Sequence, residues 1–428
     1  MTTRLSETAA PSRLARRLTT SDAVIIGLGA MIGAGVFSAI GPAAEAAGSG
    51  LLLGLALAAF VALCNATSSA QLAALYPESG GTYVYGRERL GHFWGYLAGW
   101  AFVVGKLASC AAMALTFGNY LDSDLARPLA VAAVVALGVV NYFGIEKTAL
   151  LTRAIVTLVI SSLAFVVAAC LLDGSPDPDN LTPFFDDQYG LRGILEAGGL
   201  LFFAFAGYAR IATLGEEVTD PARVIPKAIP LALAVTLGVY AAVCLATLMA
   251  VGPGVLANSE APLVSAVQAT DATDLTWVVR AGAVIASLGV LLSLMVGVSR
   301  TLFSMSSKGD MPNLLAHVHP RYKVPDRAEL AVAAFVIGVV ALADVRGAIG
   351  FSSFGVLLYY AIANASAFTL PREGRRWPRA LTVLGVAGCL LLAFSLPWES
   401  VLVGAAVVAA GALAFGLRSI TVKRQQHE

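Results

Sequence analysis

The chain has 428 residues, of which 58% are hydrophobic and only 13% charged, with a mean hydropathy of +0.78; soluble domains run closer to ~45–50% apolar and ~25% charged. That balance excludes a soluble globular domain and calls for a polytopic membrane protein. A net charge of +1, with no basic domain outside the apolar spans, argues against nucleic acid as a partner.

In chain order, residues 1–20 are polar and carry Arg4, Arg13, Arg16 and Arg17 without a cleavage site after a short apolar core, which reads as a cytoplasmic tail. Twelve apolar spans follow, at about 22–46, 50–75, 93–121, 128–144, 153–172, 191–214, 227–251, 277–300, 329–344, 348–370, 379–396 and 399–417. A second tail covers 418–428. With the N-terminus inside, 22 Lys and Arg fall on the inner side and only Arg127, Arg192, Arg280 and Arg346 outside, while Lys106 and Arg210 lie within spans, which accounts for all 28. This asymmetry argues for twelve crossings of the cytoplasmic membrane with both termini in the cytoplasm.

The first span is crowded at its centre by Gly27, Gly29, Gly33 and Gly35, where glycine costs helix stability. Either the helix breaks there, or the glycines let a neighbouring helix approach. Five spans later, Phe202-Phe203-Ala204-Phe205-Ala206-Gly207 is followed by Arg210, a charge that makes sense where the backbone opens onto a cavity. Two interrupted spans five apart fit an inverted repeat, with halves of about 21–172 and 191–370 and two extra helices over 379–417.

Lys106 lies about halfway along the third span, where an isolated charge costs at least ~2.5–3.5 kcal/mol. It is a candidate proton carrier; the structural alternatives are an ion pair with Glu196 or Glu45, or snorkelling. The cysteines Cys64, Cys110, Cys170, Cys244 and Cys389 read as buried free thiols, and the four histidines form no ligand pattern, so no metal and no cofactor are expected. Neither GxSxG nor paired intramembrane aspartates occur, so no enzyme is expected.

Thr20-Ser21-Asp22-Ala23 with Gly27-Leu28-Gly29-Ala30-Met31-Ile32-Gly33-Ala34-Gly35-Val36-Phe37 resembles the first helix of amino acid permeases of the amino acid–polyamine–organocation (APC) superfamily. Tyr76-Pro77-Glu78-Ser79-Gly80-Gly81-Thr82-Tyr83, Phe202 to Gly207, Glu216-Glu217-Val218-Thr219-Asp220-Pro221, and Arg300-Thr301-Leu302-Phe303 leading to Gly309-Asp310-Met311-Pro312 are similar to the family's pattern in the right order. The resemblance implies an all-α membrane protein of the LeuT type: a 5+5 inverted repeat with discontinuous helices 1 and 6 and two further helices. It implies secondary transport of an amino acid, with Phe203 where relatives carry an occluding aromatic. Some proton-coupled relatives carry a Lys in the fifth helix; Val159 stands there in this chain, so that feature does not carry over.

A zwitterion needs partners for both its charges. Met31, Ile32, Gly33, Ala34 and Gly35, at the start of a half-helix, suit the carboxylate; carbonyls from Ile26 to Gly29, and from Phe203, Ala204 and Gly207, suit the ammonium. Phe203, Arg210, Glu216 and Glu217 are expected as gates. Ser109, Cys110, Met113, Tyr359 and Tyr360 are weaker pocket candidates. With no acid inside the third, eighth or tenth spans, a small neutral amino acid is expected over a cationic one. A proton is the expected coupling ion; sodium would want hydroxyls such as Ser293, Ser299, Ser161 or Ser162. The alternatives are a polyamine or amino acid exchanger of the same fold, or a non-transporting sensor.

Overall fold

A computed structural model describes residues 18–33, 35–76, 80–144, 149–185, 187–214 and 217–425. Among them every element is helical, apart from an isolated bridge between Leu18 and Val218. The α-helices are α1 Thr20–Met31, α2 Gly35–Ala47, α3 Leu51–Leu75, α4 Thr82–Leu90, α5 His92–Leu121, α6 Ala126–Tyr142, α7 Ala149–Ala168, α8 Gly190–Phe205, α9 Ala209–Ala212, α10 Pro221–Ala257, α11 Pro262–Gln268, α12 Thr276–Ser307, α13 Asp326–Leu342, α14 Val345–Phe368, α15 Arg379–Ser395 and α16 Trp398–Gln425. Eight segments within this set are long and apolar enough to cross a membrane. Helix α16 runs on to Gln425, so the segment expected as a tail from 418 is helical through its described part.

Helix α1 opens on a capping box: Thr19 Oγ1 accepts from the Asp22 backbone N–H at 3.3 Å, and Asp22 accepts from the Thr19 N–H at 3.0 Å. Arg153 at the start of α7 pairs with Asp22. This end of the bundle also gathers Arg87, Arg89, Arg223, Lys227 and Lys308, and we refer to it as the basic end. The opposite, acidic end carries Glu45, Asp122, Asp124, Asp177 and Glu196, together with Arg127, Arg192, Arg280 and Arg346.

Helices pack through small residues, as they must where lipid offers no hydrophobic drive for association. A Cβ on Gly54 of α3 would lie 2.9 Å from the Gly198 nitrogen of α8, and one on Gly355 of α14 would lie 2.8 Å from the Ala101 carbonyl oxygen of α5. Buried amides join further helices. Ser68 donates to Asn364 Oδ1 at 2.6 Å and Asn364 Nδ2 donates to Asn65 Oδ1 at 2.6 Å, tying α14 to α3. All five cysteines are buried and free.

The two expected interruptions differ in kind. Between α1 and α2 the helix stops: Ile32 leaves helical geometry at φ −77°, ψ 41° after its N–H bonds the Leu28 carbonyl. Between α8 and α9 the backbone only tightens into a 3-10 turn, Ala206–Tyr208, with Ala206, Tyr208 and Ala209 still in the right-handed helical region. A single glycine, Gly207, supplies less freedom than the run at 33–35, so the second interruption is a tightened turn where an unwound segment was expected.

Candidate functional site

The two interruptions meet. A Cβ on Gly207 would lie 2.2 Å from the Ala30 carbonyl oxygen and 2.7 Å from the Met31 nitrogen, and one on Gly35 would lie 2.8 Å from Ala204 Cα. Glycine is required at both places because backbone packs on backbone. The Tyr240 hydroxyl of α10 reaches the Ala204 carbonyl at 3.0 Å and also the Met31 carbonyl, so one phenol bridges both breaks. Tyr360 of α14 donates to the Ala206 carbonyl at 3.4 Å.

Beside this junction lies a cavity of about 380 Å³, within the range of ligand pockets, ~300–1,000 Å³. Its inner wall is made of Met31, Gly33 and Gly35, of Phe203, Ala204 and Gly207, of Lys106, Ser109 and Met113 from α5, of Val290 and Ser293 from α12, and of Tyr359 from α14. It extends toward the basic end past Tyr83, Arg210, Glu217 and Arg300. None of the acidic-end residues Glu45, Glu196 and Arg346 lines it.

Most of the residues singled out in the sequence are thus gathered around one space: Met31, Gly33, Gly35, Phe203, Ala204, Gly207, Arg210, Glu217 and Lys106. Ile32 is buried but does not line it. Ile26 and Gly29 lie within the continuous part of α1. Helix α1 runs to Met31, about a turn further than expected, so the carbonyls at the break are those of Gly29, Ala30 and Met31, and Ile26 is engaged within the helix. The reason is packing: Gly27 and Gly29 give room to Ile211 and Val156, whose side-chain carbons would stand 2.3 and 2.9 Å from an added Cβ. Among the proposed ammonium partners, the Phe203 carbonyl already accepts from the Ala206 N–H and the Ala204 carbonyl from Tyr240, which leaves each a second lone pair. Ala34 and Glu216 lie outside the described residues.

The three neighbouring phenylalanines divide as helical geometry requires. Phe202 packs edge-on to Tyr360 and Phe205 to Tyr240, with ring centroids 5.9 and 5.2 Å apart, and Phe203 alone faces the cavity. Of the weaker candidates, Ser109, Met113 and Tyr359 line the cavity; Cys110 and Tyr360 are buried behind it. Tyr240 and Phe102 were not anticipated. Phe102 lines the cavity and packs on Tyr359 at 5.1 Å. Each is one ring in an apolar span, and nothing in the local pattern sets it apart.

The electrostatics are lopsided. Among the described residues, Lys106, Arg210 and Arg300 bring positive charge to the cavity wall and Glu217 alone brings negative charge. Arg210 Nη2 lies 3.9 Å from Glu217 Oε1. Glu45 and Glu196, considered as partners for Lys106, are both taken by Arg346, whose Nη2 stands 2.9 Å from Glu196 Oε1. Lys106 is 7% exposed and has no hydrogen-bond or ion-pair partner among the described residues.

Near the basic mouth, Asp310 is almost wholly buried and accepts from Tyr83 Oη at 2.7 Å and Arg87 Nη1 at 3.3 Å, with His92 Nε2 at 2.6 Å from its other oxygen. These contacts join α4 and the start of α5 to the end of α12.

A family profile described as "Amino acid permease" matches residues 18–416. A protein named only as an uncharacterized transporter from Mycobacterium tuberculosis is 59% identical over 97% of this chain and 94% of its own length. The branched-chain amino acid permease BcaP of Bacillus subtilis is 26% identical over 93% of this chain and 91% of its own. A methylthioribose transporter of the same organism is 28% identical over 86% and 82%, and human cationic amino acid transporter 4 is 28% identical over 86% of this chain and 61% of its own. A profile match across nearly the whole chain, over a helical bundle whose interrupted helices abut at a buried cavity, makes this chain a multi-pass membrane transporter that belongs to the amino acid permease family of the APC superfamily.

Proposed function

We propose that this chain carries an amino acid across the cytoplasmic membrane by alternating access, driven by protons. The observation that carries the reading is the junction of the two interruptions beside one cavity, Gly207 against Ala30 and Gly35 against Ala204. The free N–H groups at the start of α2 suit a carboxylate and the carbonyls ending α1 suit an ammonium, so backbone alone meets both charges of a zwitterion.

In this reading α1 and α2 together make the first of twelve crossings, and α8 with α9 makes the sixth. Interruptions five crossings apart are what a 5+5 inverted repeat of the LeuT type supplies, with α15 and α16 appended. The basic end is cytoplasmic, with both termini, by the preference of Lys and Arg for that side. The cavity then faces inward, with Phe203 as its lid and Arg210 with Glu217 at its mouth.

Lys106 is the proposed proton carrier, because a lone ammonium on a wall that alternates between dry and wet exchanges its proton as the cavity opens and closes. The hydroxyls that sodium would want favour the same conclusion. Of these four, Ser161 is exposed and only Ser293 reaches the cavity.

Uptake of radiolabelled amino acids into proteoliposomes tests the reading. Accumulation above the external concentration under an inwardly directed proton gradient, independent of sodium, is expected. Binding without accumulation would turn the chain into a sensor, and a Lys106→Met variant still driven by the pH gradient would remove Lys106 as carrier.

A further inference from the structure

Resting on that reading of the cavity, we infer that the substrate carries a second negative charge, an amino acid with an acidic side chain, and that Lys106 is the group that holds it.

The backbone at the two breaks accounts for the α-carboxylate and α-ammonium of any amino acid, and Lys106 is left over. Its side chain comes from α5 and lines the same cavity as the α1–α2 break, with Ser109 and Met113 of its own helix. A buried ammonium without a counter-charge is a standing cost, and among the described residues the neighbouring elements bring none to it. From α14 the cavity receives Tyr359, from α4 Tyr83 and from α12 Arg300; Glu217, the one acid on the wall among the described residues, is paired with Arg210 at the mouth. Among the described residues no wall group matches that charge, and the ligand supplies it. A carboxylate at the end of a short side chain would make a charge-assisted bond to Nζ; the Ser109 hydroxyl beside it is already engaged with the Gly105 carbonyl at 3.3 Å and with Ser352 at 2.6 Å.

The same balance tells against a cationic substrate. Its side chain would meet Lys106 with no unpaired acid among the described wall residues, although some relatives at 26–28% identity are named cationic amino acid transporters. A neutral side chain would leave Lys106 as uncompensated as it is without ligand. Acid binding and proton loading are also compatible at one residue: Lys106 keeps its proton while the carboxylate is present and is free to lose it once the acid has left.

The test uses acid and amide pairs of equal shape. Binding of L-aspartate, L-glutamate, L-asparagine, L-glutamine and L-lysine to the purified full-length protein is measured by thermal shift and by radioligand competition. The wild type is expected to prefer each acid over its amide by at least about tenfold, with lysine weakest. In Lys106→Met the acid-to-amide ratio is expected to collapse toward one, and in Lys106→Arg to survive. Equal binding of acid and amide by the wild type, or a Lys106→Met variant that weakens both and keeps their ratio, would overturn the inference while leaving an amino acid carrier. Binding of none of these five would also overturn the inference, and extending the screen to the other fifteen amino acids then decides whether the reading of the cavity as an amino acid site falls with it.

Discussion

Arg346 Nη2 donates to Glu196 Oε1 at 2.9 Å, and the same guanidinium pairs with Glu45, so one residue at the start of α14 fastens α8 and α2 together at the acidic end. These are the two helices that leave the interruptions toward that side. The contact therefore bears on whether the cavity can open there.

Arg346→Ala is expected to raise access from the acidic end. The guanidinium is 30% exposed and Glu196 15%, which puts the contact at about 1–2 kcal/mol rather than the value of a fully buried pair. That corresponds to a factor of about 5–30 in the population of the acid-side-open form. A cysteine placed at Met113, in a background without the five native cysteines, reports this by its labelling rate with a membrane-impermeant thiol reagent. Unchanged labelling in Arg346→Ala would show that closure at that end has another cause.

Gly207→Ala is expected to abolish transport while the protein still inserts. The added methyl would meet the Ala30 carbonyl oxygen at 2.2 Å, and a backbone atom cannot swing aside as a side chain can. Overpacking of this kind costs ~1–3 kcal/mol or more and falls on the junction itself. Gly238→Ala in α10 is the control, because nothing lies within 4 Å of its Cβ position and alanine favours the helix there. Equal uptake by the two variants would mean that the junction does not need the close approach.

The glycine run from 27 to 35 announced a break, and it also concealed where the break lies, because two kinds of glycine are mixed in it. Gly27 and Gly29 accommodate Ile211 and Val156 within an intact helix; Gly33 and Gly35 lie at the interruption. Composition registers that glycines are present but not what packs on each, so the expected carbonyls fell about a turn early, at Ile26. The sixth span was legible because Arg210 is out of character for a membrane interior. Its mildness was not, since the geometry of one glycine depends on its neighbours. Tyr240, and the joining of Arg346 to Glu45 and Glu196, depend on residues far apart in the chain, and no local pattern marks either one.

Asp310→Asn probes the opposite mouth. The carboxylate is 3% exposed and receives Tyr83, Arg87 and His92, so an amide of the same shape loses the charge and turns an NH₂ toward donors. A loss of about 2–4 kcal/mol is expected, read as a lower Tm in detergent. Burial first, and then the bond to Asp310, hold the Tyr83 phenol well above the usual tyrosine range. Its contribution is therefore complete below the ordinary tyrosine pKa and disappears only as pH rises through the raised one, so the effect of Asp310→Asn on Tm should not vary across neutral pH on account of Tyr83. A cycle with Arg87→Met separates pair from site. Coupling between the two changes is expected, because Arg87 shares the Asp310 Oδ2 atom with Tyr83, whereas additive losses would show that the guanidinium and the carboxylate act independently and that α4 is held to Asp310, just past α12, by Tyr83 alone.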